Sequence, residues 1–326
     1  MLTDRFHRIH DYLRISLTDT CNFRCTYCMP NEEMSVLPHK KLMQVDEIEQ
    51  IAKVFVDLGI KKIRLTGGEP LVRKDAKEII EKISQLPVTL TLTTNGVLLD
   101  KYLETLQNAH IHSLNVSIDS LQAPKFQRIT QRNSFQQVWD NILLLIKNNF
   151  HVKINVVVMR GINDDEIIDF IALTQNLPLH VRFIEFMPFD GNAWEKNNVF
   201  TTQEMLALIQ AVYPIEKLTD AKHATTKAYK VPDYQGTFAF ITTMSQPFCS
   251  DCNRLRITAD GKMKNCLFGK EEIDILGALR KGEDIVPLIY QSVGLKHSIM
   301  GGQFGASYQE TDANSLENRS MIKIGG

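Results

Sequence analysis

The sequence predicts an α/β protein: an incomplete (β/α)6 barrel of the TIM type, followed by a smaller C-terminal α+β domain. Three observations lead there. Strand-like runs recur six times with helical segments between them, which implies parallel strands joined by right-handed crossovers. Each run has one polar and one apolar face, whereas strands buried in a closed parallel sheet read apolar on both. After Gly191 the alternation of strand and helix stops.

The strands are expected at residues 12–17, 62–66, 89–94, 113–119, 152–158 and 181–186. On a two-residue period, Arg14, Ser16, Arg64, Thr66, Thr91, Thr93, Asn115, Ser117, Lys153, Asn155 and Arg182 share one face. Leu13, Ile15, Ile63, Leu65, Leu90, Leu92, Leu114, Val116, Ile154, Val156, Val181 and Phe183 share the other. A strand at a sheet edge or facing solvent would also show one polar face. Six in succession point instead to a wide, curved barrel with a polar, ligand-filled lumen, not to a tightly filled eight-stranded one. Residues 45–58 and 135–148 carry apolar positions at helical spacing. Residues 201–212 read as a helix, with Thr201 and Thr202 as caps and Pro214 just past its end. From about Lys217 the chain reads as irregular and rich in turns, so the expected division is 1–216 and 217–326. His7 and His10 read as a surface pair, and Trp139 and Trp194 as packing residues.

The 326 residues leave room for a large barrel plus a small domain, and 44% hydrophobic with 23% charged content is that of a globular protein. A net charge of −1 offers no global field for nucleic acid or an anionic membrane, so any anion site must be built locally. The N-terminal residues show no apolar core of signal-peptide length, and the apolar run 142–146 is too short to cross a bilayer. The expected location is the cytoplasm, without a nucleic-acid or membrane partner. Thiols stay reduced there, so closely spaced cysteines read as ligands before disulfides.

The six cysteines fall into two trios. Cys21, Cys25 and Cys28 follow the first strand, at the end where barrels of this kind build active sites. Three thiolates can hold three corners of a four-iron cubane and leave one iron open to a substrate. Structural zinc takes four closed ligands, and the histidines nearest in sequence, His10 and His39, are not adjacent to the trio. Cys249, Cys252 and Cys266 are less specific. Taken alone they leave cluster and zinc both open, with Asp251 as a possible oxygen donor; beside the first trio, a second cluster is the expectation.

CNFRCTYCMP followed by TGGEP resembles the radical S-adenosylmethionine superfamily. The segments DYLRISLTD, IRLTGGEPLVR, TTNG, LNVSID, VKINVVV, FIEFMPF, CSDCNRLRITADGK and the terminal IGG resemble the GTP 3′,8-cyclase family within it, over nearly the whole chain from Tyr12 to Gly326. Thr20 departs from the arginine the family often has before the first cysteine; it is not a ligand position.

The resemblance implies two [4Fe–4S] clusters, one on Cys21, Cys25 and Cys28 and one on Cys249, Cys252 and Cys266. It places S-adenosylmethionine at Tyr27, Gly68, Ser117 and Met187. It places GTP at Arg14, Arg64, Thr93, Lys153, Arg182, Arg254, Leu255 and Arg256. It implies catalytic roles for Arg254, Arg256, Gly325 and Gly326, the last two as a tail reaching into the site. The implied reaction is radical cyclisation of GTP to (8S)-3′,8-cyclo-7,8-dihydroguanosine 5′-triphosphate, the first step of molybdenum cofactor biosynthesis. It further implies a homodimer and delivery of product to cyclic pyranopterin monophosphate synthase, and leaves the electron donor open. Two alternatives stand beside it: a maturase-type radical enzyme with an auxiliary cluster, and a zinc-stabilised, non-catalytic module. Independently of the resemblance, Arg14, Arg64, Lys153 and Arg182 on one strand face call for an anion, since buried cations are costly without one.

Overall fold

In the computed structural model, which describes residues 1–29, 36–305 and 307–325, the apolar strand face decides the architecture. A short antiparallel pair, β1 (Leu2–Thr3) and β2 (Ile9–His10), precedes the barrel. Six strands then pair side by side and parallel in chain order: β3 (Tyr12–Ser16), β4 (Lys62–Thr66), β5 (Thr89–Thr94), β6 (Ser113–Ser117), β7 (His151–Val158) and β8 (His180–Glu185). Every end lies within two residues of its expected place. Leu13, Ile63, Leu92, Leu114, Ile154 and Val181 are fully buried in one core, and each such side chain contributes about 1.5–3 kcal/mol.

The helices cover that face. They are α1 (Val45–Asp57), α2 (Ala76–Ser84), α3 (Leu99–Asn108), α4 (Ala123–Thr130), α5 (Phe135–Lys147) and α6 (Ile167–Asn176). In α1, Ile48, Ile51, Ala52 and Phe55 recur at helical spacing and are all buried. Glu47 folds back to accept from the Gln44 backbone N–H at 2.6 Å, which fixes where α1 starts. α7 (Thr202–Gln210) begins on the expected cap: Thr201 accepts from the Glu204 N–H.

The region past residue 216 is more regular than its sequence suggests. It contains β9 (Glu216–Lys217), β10 (Lys227–Lys230), β11 (Thr237–Ile241), β12 (Arg254–Ile257), β13 (Lys262–Lys264) and β14 (Ile273–Asp274), then α8 (Ile275–Arg280), α9 (Val286–Gly294) and α10 (Met321–Ile324). Strands of two to five residues carry too little periodicity to be seen in a window. All six join the barrel sheet, in the order β14-β13-β12-β3-β4-β5-β6-β7-β8-β11-β10-β9. β11 pairs parallel with β8 and β12 parallel with β3, so consecutive strands flank the six-stranded core on opposite sides.

Glu185 ties this addition to the barrel. Fully buried at the end of β8, it accepts from the backbone N–H of Thr202, Met244 and Ser245 at 2.8–2.9 Å. His10 is likewise buried and not on the surface, bonded to Asp4 at 3.1 Å, while His7 is exposed as expected. Alternation in the short β2 turns its ring inward. Burial and the charge of Lys296 push it down to about 4, so it is neutral near pH 7. Trp194 is buried and donates to the Phe186 carbonyl, and Trp139 packs on the main core. No helix among the described residues is long and apolar enough to cross a membrane.

Candidate active site

The strand register places the two cysteine trios at opposite ends of the lumen. Cys21 lies five residues past Ser16, beyond the C-terminal end of β3. Cys249 and Cys252 lie in the segment 242–253, which crosses from the C-terminal end of β11 to the start of β12. Arg254 there pairs with Tyr12, the first residue of β3, so Cys252 sits at the opposite end of the strands. β13 runs back antiparallel, with Arg256 opposite Lys264, and delivers Cys266 to the same end. A five-residue strand spans about 17 Å. Both trios nevertheless line one cavity of about 710 Å³.

The first trio has acidic surroundings. Burial and then Glu69 push the Cys21 thiol up to about 11; burial, then Cys21 and Asp119, push Cys28 up to about 12. Cys25 is raised by burial, Asp119 and its two sister thiols. Asn95 Nδ2 reaches Cys21 Sγ at 3.8 Å, and the Ile322 backbone of α10 bonds Cys28. Three thiols that feel one another and border a cavity fit a cluster, which requires them deprotonated. Among the described residues no three His, Cys, Asp or Glu side chains are grouped to hold a single metal ion. A cubane spreads its thiolates over its corners, further apart than the ligands of one ion.

The second trio has cationic surroundings. Burial raises Cys252, but Arg254 and Lys296 outweigh it and hold the thiol at about 6. Arg254 Nη2 approaches Cys252 Sγ at 3.5 Å, and the Met300 N–H donates to Cys249 Sγ at 3.3 Å. Arg8 braces the loop from behind: its guanidinium donates to the carbonyls of Cys249, Ser298 and His297 at 2.7–2.9 Å. Asp4 holds its Nε at 2.6 Å.

Between the trios runs a belt of cations from the polar strand face. Arg14, Arg64, Lys153, Arg182, Arg254 and Arg256 all line the cavity. Arg64 donates to Thr93 Oγ1 and the Leu92 carbonyl at 3.1 Å, and to the Tyr12 hydroxyl at 2.5 Å. Arg182 Nε and Nη2, Asn115 Oδ1 and Asn155 Oδ1 are buried with no hydrogen-bond partner among the described residues. Burial and the neighbouring cations press Arg14, Arg182 and Arg256 below the usual arginine range. A guanidinium keeps its proton in proteins, so an anion relieves this strain.

Tyr27, Gly68, Ser117 and Met187 also line the cavity, with the Tyr27 hydroxyl donating to Asp119 at 2.7 Å. A Cβ on Gly68 would stand 2.6 Å from the Thr20 carbonyl oxygen, so this glycine first serves a backbone-to-backbone approach. The Leu255 side chain points away from the cavity. The same alternation that turns Arg254 and Arg256 inward turns Leu255 outward, and its side chain is fully buried in the main core. Gly325 is buried inside the barrel, where its carbonyl accepts from Arg256 Nη1 at 2.9 Å. Gly326 lies outside the described residues.

Several lumen residues were not singled out from sequence. Tyr12 and Lys62 line the cavity and sit two residues before Arg14 and Arg64, so extending the same period would have found them. Burial raises the Tyr12 phenol, but Arg64, Arg14 and Lys62 bring it down to about 7. Glu69 and Asp119 lie inside the TGGEP and LNVSID segments. Lys296 carries no sequence signal.

An open parallel barrel with a cysteine trio past its first strand is the architecture of radical S-adenosylmethionine proteins. Residues 15–174 match the Radical SAM superfamily and residues 179–299 the Molybdenum Cofactor Synthesis C family. GTP 3′,8-cyclase of Desulforamulus reducens is 41% identical over all of both chains. The mitochondrial GTP 3′,8-cyclase of Arabidopsis thaliana is 43% identical, over all of this chain and 84% of its own. The chain belongs to the GTP 3′,8-cyclase family, which brings with it a [4Fe–4S] cluster and S-adenosylmethionine. Molybdenum cofactor biosynthesis protein 1 of Mus musculus is 46% identical over 99% of this chain, but this chain spans only 51% of that protein. The fold is shared more widely. SuiB of Streptococcus suis bound to S-adenosylmethionine superposes with a TM-score of 0.62 over 97% of this chain and 77% of its own, at 14% identity.

Proposed function

We propose that the protein converts GTP to (8S)-3′,8-cyclo-7,8-dihydroguanosine 5′-triphosphate, the first step of molybdenum cofactor biosynthesis. One observation carries the proposal: both trios and the cations between them line a single cavity. A cosubstrate at one end and a nucleotide at the other would therefore meet. Cys21, Cys25 and Cys28 would hold the first [4Fe–4S] cluster, and Cys249, Cys252 and Cys266 a second one, which would supply a binding point for the guanine. The first cluster, when bound, supplies the electron that cleaves S-adenosylmethionine to methionine and a 5′-deoxyadenosyl radical.

The chain's own residues then position and shield. Tyr27, Gly68, Ser117 and Met187 cradle S-adenosylmethionine, and Arg14, Arg64, Lys153, Arg182, Arg254 and Arg256 hold GTP by charge-assisted hydrogen bonds. Thr93 acts through Arg64, to which it is bonded. Leu255 has only its backbone to offer. The ribose C3′ is held for hydrogen abstraction and the guanine C8 for ring closure, with water excluded by the surrounding strands. A homodimer and handover to cyclic pyranopterin monophosphate synthase come from the family alone; the domain division at 216/217 and a cytoplasmic location rest on the sequence pattern. The test is anaerobic incubation of reconstituted protein with S-adenosylmethionine, GTP and dithionite. GTP-dependent 5′-deoxyadenosine is expected, and its absence ends the proposal.

The cation belt gives a pH signature. Burial, Arg182, Lys62 and Arg64 hold the Lys153 ammonium down to about 8. A triphosphate favours its charged form, so above pH 8 binding must take up a proton and affinity falls as pH rises. From pH 7 to pH 9 the Kd for GTP, measured by calorimetry, is expected to rise about tenfold. Lys153→Arg keeps its charge and should shrink that ratio. An equal loss in the variant assigns the effect to another group.

A further inference from the structure

Lys296, just past α9, is a buried cation with no carboxylate bonded to it among the described residues. It is 2% exposed, and its Nζ donates to the carbonyls of Arg254, at 3.2 Å, and Asn265. Asn265 adjoins Cys266, and Arg254 lies two residues past Cys252, so the ammonium staples the two arms of the second trio together. Lys296 lines the cavity that Cys252 and Cys266 also border, and among the described residues its Nζ forms no further hydrogen bond or ion pair. An ammonium has three donors, and burying one with only two carbonyls is unfavourable unless an anion completes its shell. The first trio stands among the opposite charges, the carboxylates of Glu69 and Asp119.

We propose that Lys296 is the counter-charge of a cluster on Cys249, Cys252 and Cys266, and that it sets that cluster's reduction potential above that of the first. This rests on reading the second trio as cluster ligands. Three thiolates around an oxidised cubane leave net negative charge, and an added electron increases it. A fixed cation close by stabilises the reduced form and raises the potential. Glu69 and Asp119 act in the opposite direction on the first trio, which suits a cluster that must reduce a sulfonium. Lys296 is a positioning residue: it acts on the metal centre through charge and not on the reacting atoms.

The test is a dithionite titration of the anaerobically reconstituted full chain, with both clusters followed by EPR. Lys296→Gln can keep donating to the two carbonyls but loses the charge; Lys296→Arg keeps the charge. In Lys296→Gln the oxidised-to-reduced ratio of the second cluster, read at the wild-type midpoint, is expected to rise about tenfold, or 59 mV for one electron. The first cluster should not move, and Lys296→Arg should stay near wild type. Loss of the second cluster in Lys296→Gln but not in Lys296→Arg would equally support a role for charge. Loss in both, an unchanged potential in Lys296→Gln, or equal shifts of both clusters would overturn it. Wild-type protein holding only about four irons would overturn the reading of the second trio itself, an outcome distinct from the others.

Discussion

Deleting residues 325 and 326 is expected to lower GTP cyclisation at least about 100-fold while leaving iron content unchanged, because Gly325 meets Ser16, Thr66 and Arg256 and not a cysteine. Gly325 adopts φ +85°, a conformation that suits glycine. A Cβ there would stand 2.6 Å from Ser16 Cβ and 2.8 Å from Thr66 Oγ1, on adjacent strands of the sheet that cannot move apart. Its carbonyl accepts from Arg256 Nη1 at 2.9 Å, so the deletion also frees a guanidinium that the tail now orients. Loss of one preorganised group at a reacting centre costs about 10²–10³ in rate. Gly325→Ala should reproduce most of the loss through the clash alone. Product formation measured by chromatography, beside iron content, checks both variants. A wild-type rate in the deletion would show the tail to be a frayed end that the reaction does not need.

Replacing a cysteine should separate the two trios by function. Cys25→Ala is expected to reduce bound iron from about eight to about four per chain and to eliminate 5′-deoxyadenosine formation. Without its first cluster the protein cannot pass an electron to the sulfonium. Cys252→Ala is expected to lose the same amount of iron and yet still cleave S-adenosylmethionine slowly, without making cyclised nucleotide. The two trios lie at opposite ends of the strands, each with its own bracing: Asn95 and the Ile322 backbone at the first, Arg8, Met300 and Arg254 at the second. Either cluster should therefore assemble without the other. Protein that is colourless and binds zinc in place of iron would refute both expectations.

The barrel was legible because its signal is repeated. Six strands each carry alternation, and the helices between them bury apolar positions at helical spacing. Alternation alone thus assigns Arg14, Arg64, Lys153 and Arg182 to one lumen. Tyr12 and Lys62 obey the same rule, one step earlier in the two-residue period than Arg14 and Arg64. Leu255 turns its side chain to the core, because alternation forbids three consecutive side chains on one face. β9 to β14 were not legible in this way: a strand of two to five residues has too few alternations to stand out from a turn-rich stretch.

Local order therefore suffices for element type, for which face is polar, and for the chemistry of the first cysteine group, since all of these depend on spacings of two to four residues; Cys266 stands fourteen positions past Cys252. Local order does not reveal that β11 and β12, neighbours in sequence, sit on opposite sides of the barrel core. That placement carries Cys249 and Cys252 across the lumen and turns two distant motifs into one site. Nor does it reveal that Lys296, Arg8 and Gly325, from a loop, a hairpin and the tail, converge there. Arg8 and Ser298 alone are separated by 290 positions. Such contacts are chosen by sheet pairing and by burial of the whole chain, which no short window of sequence contains.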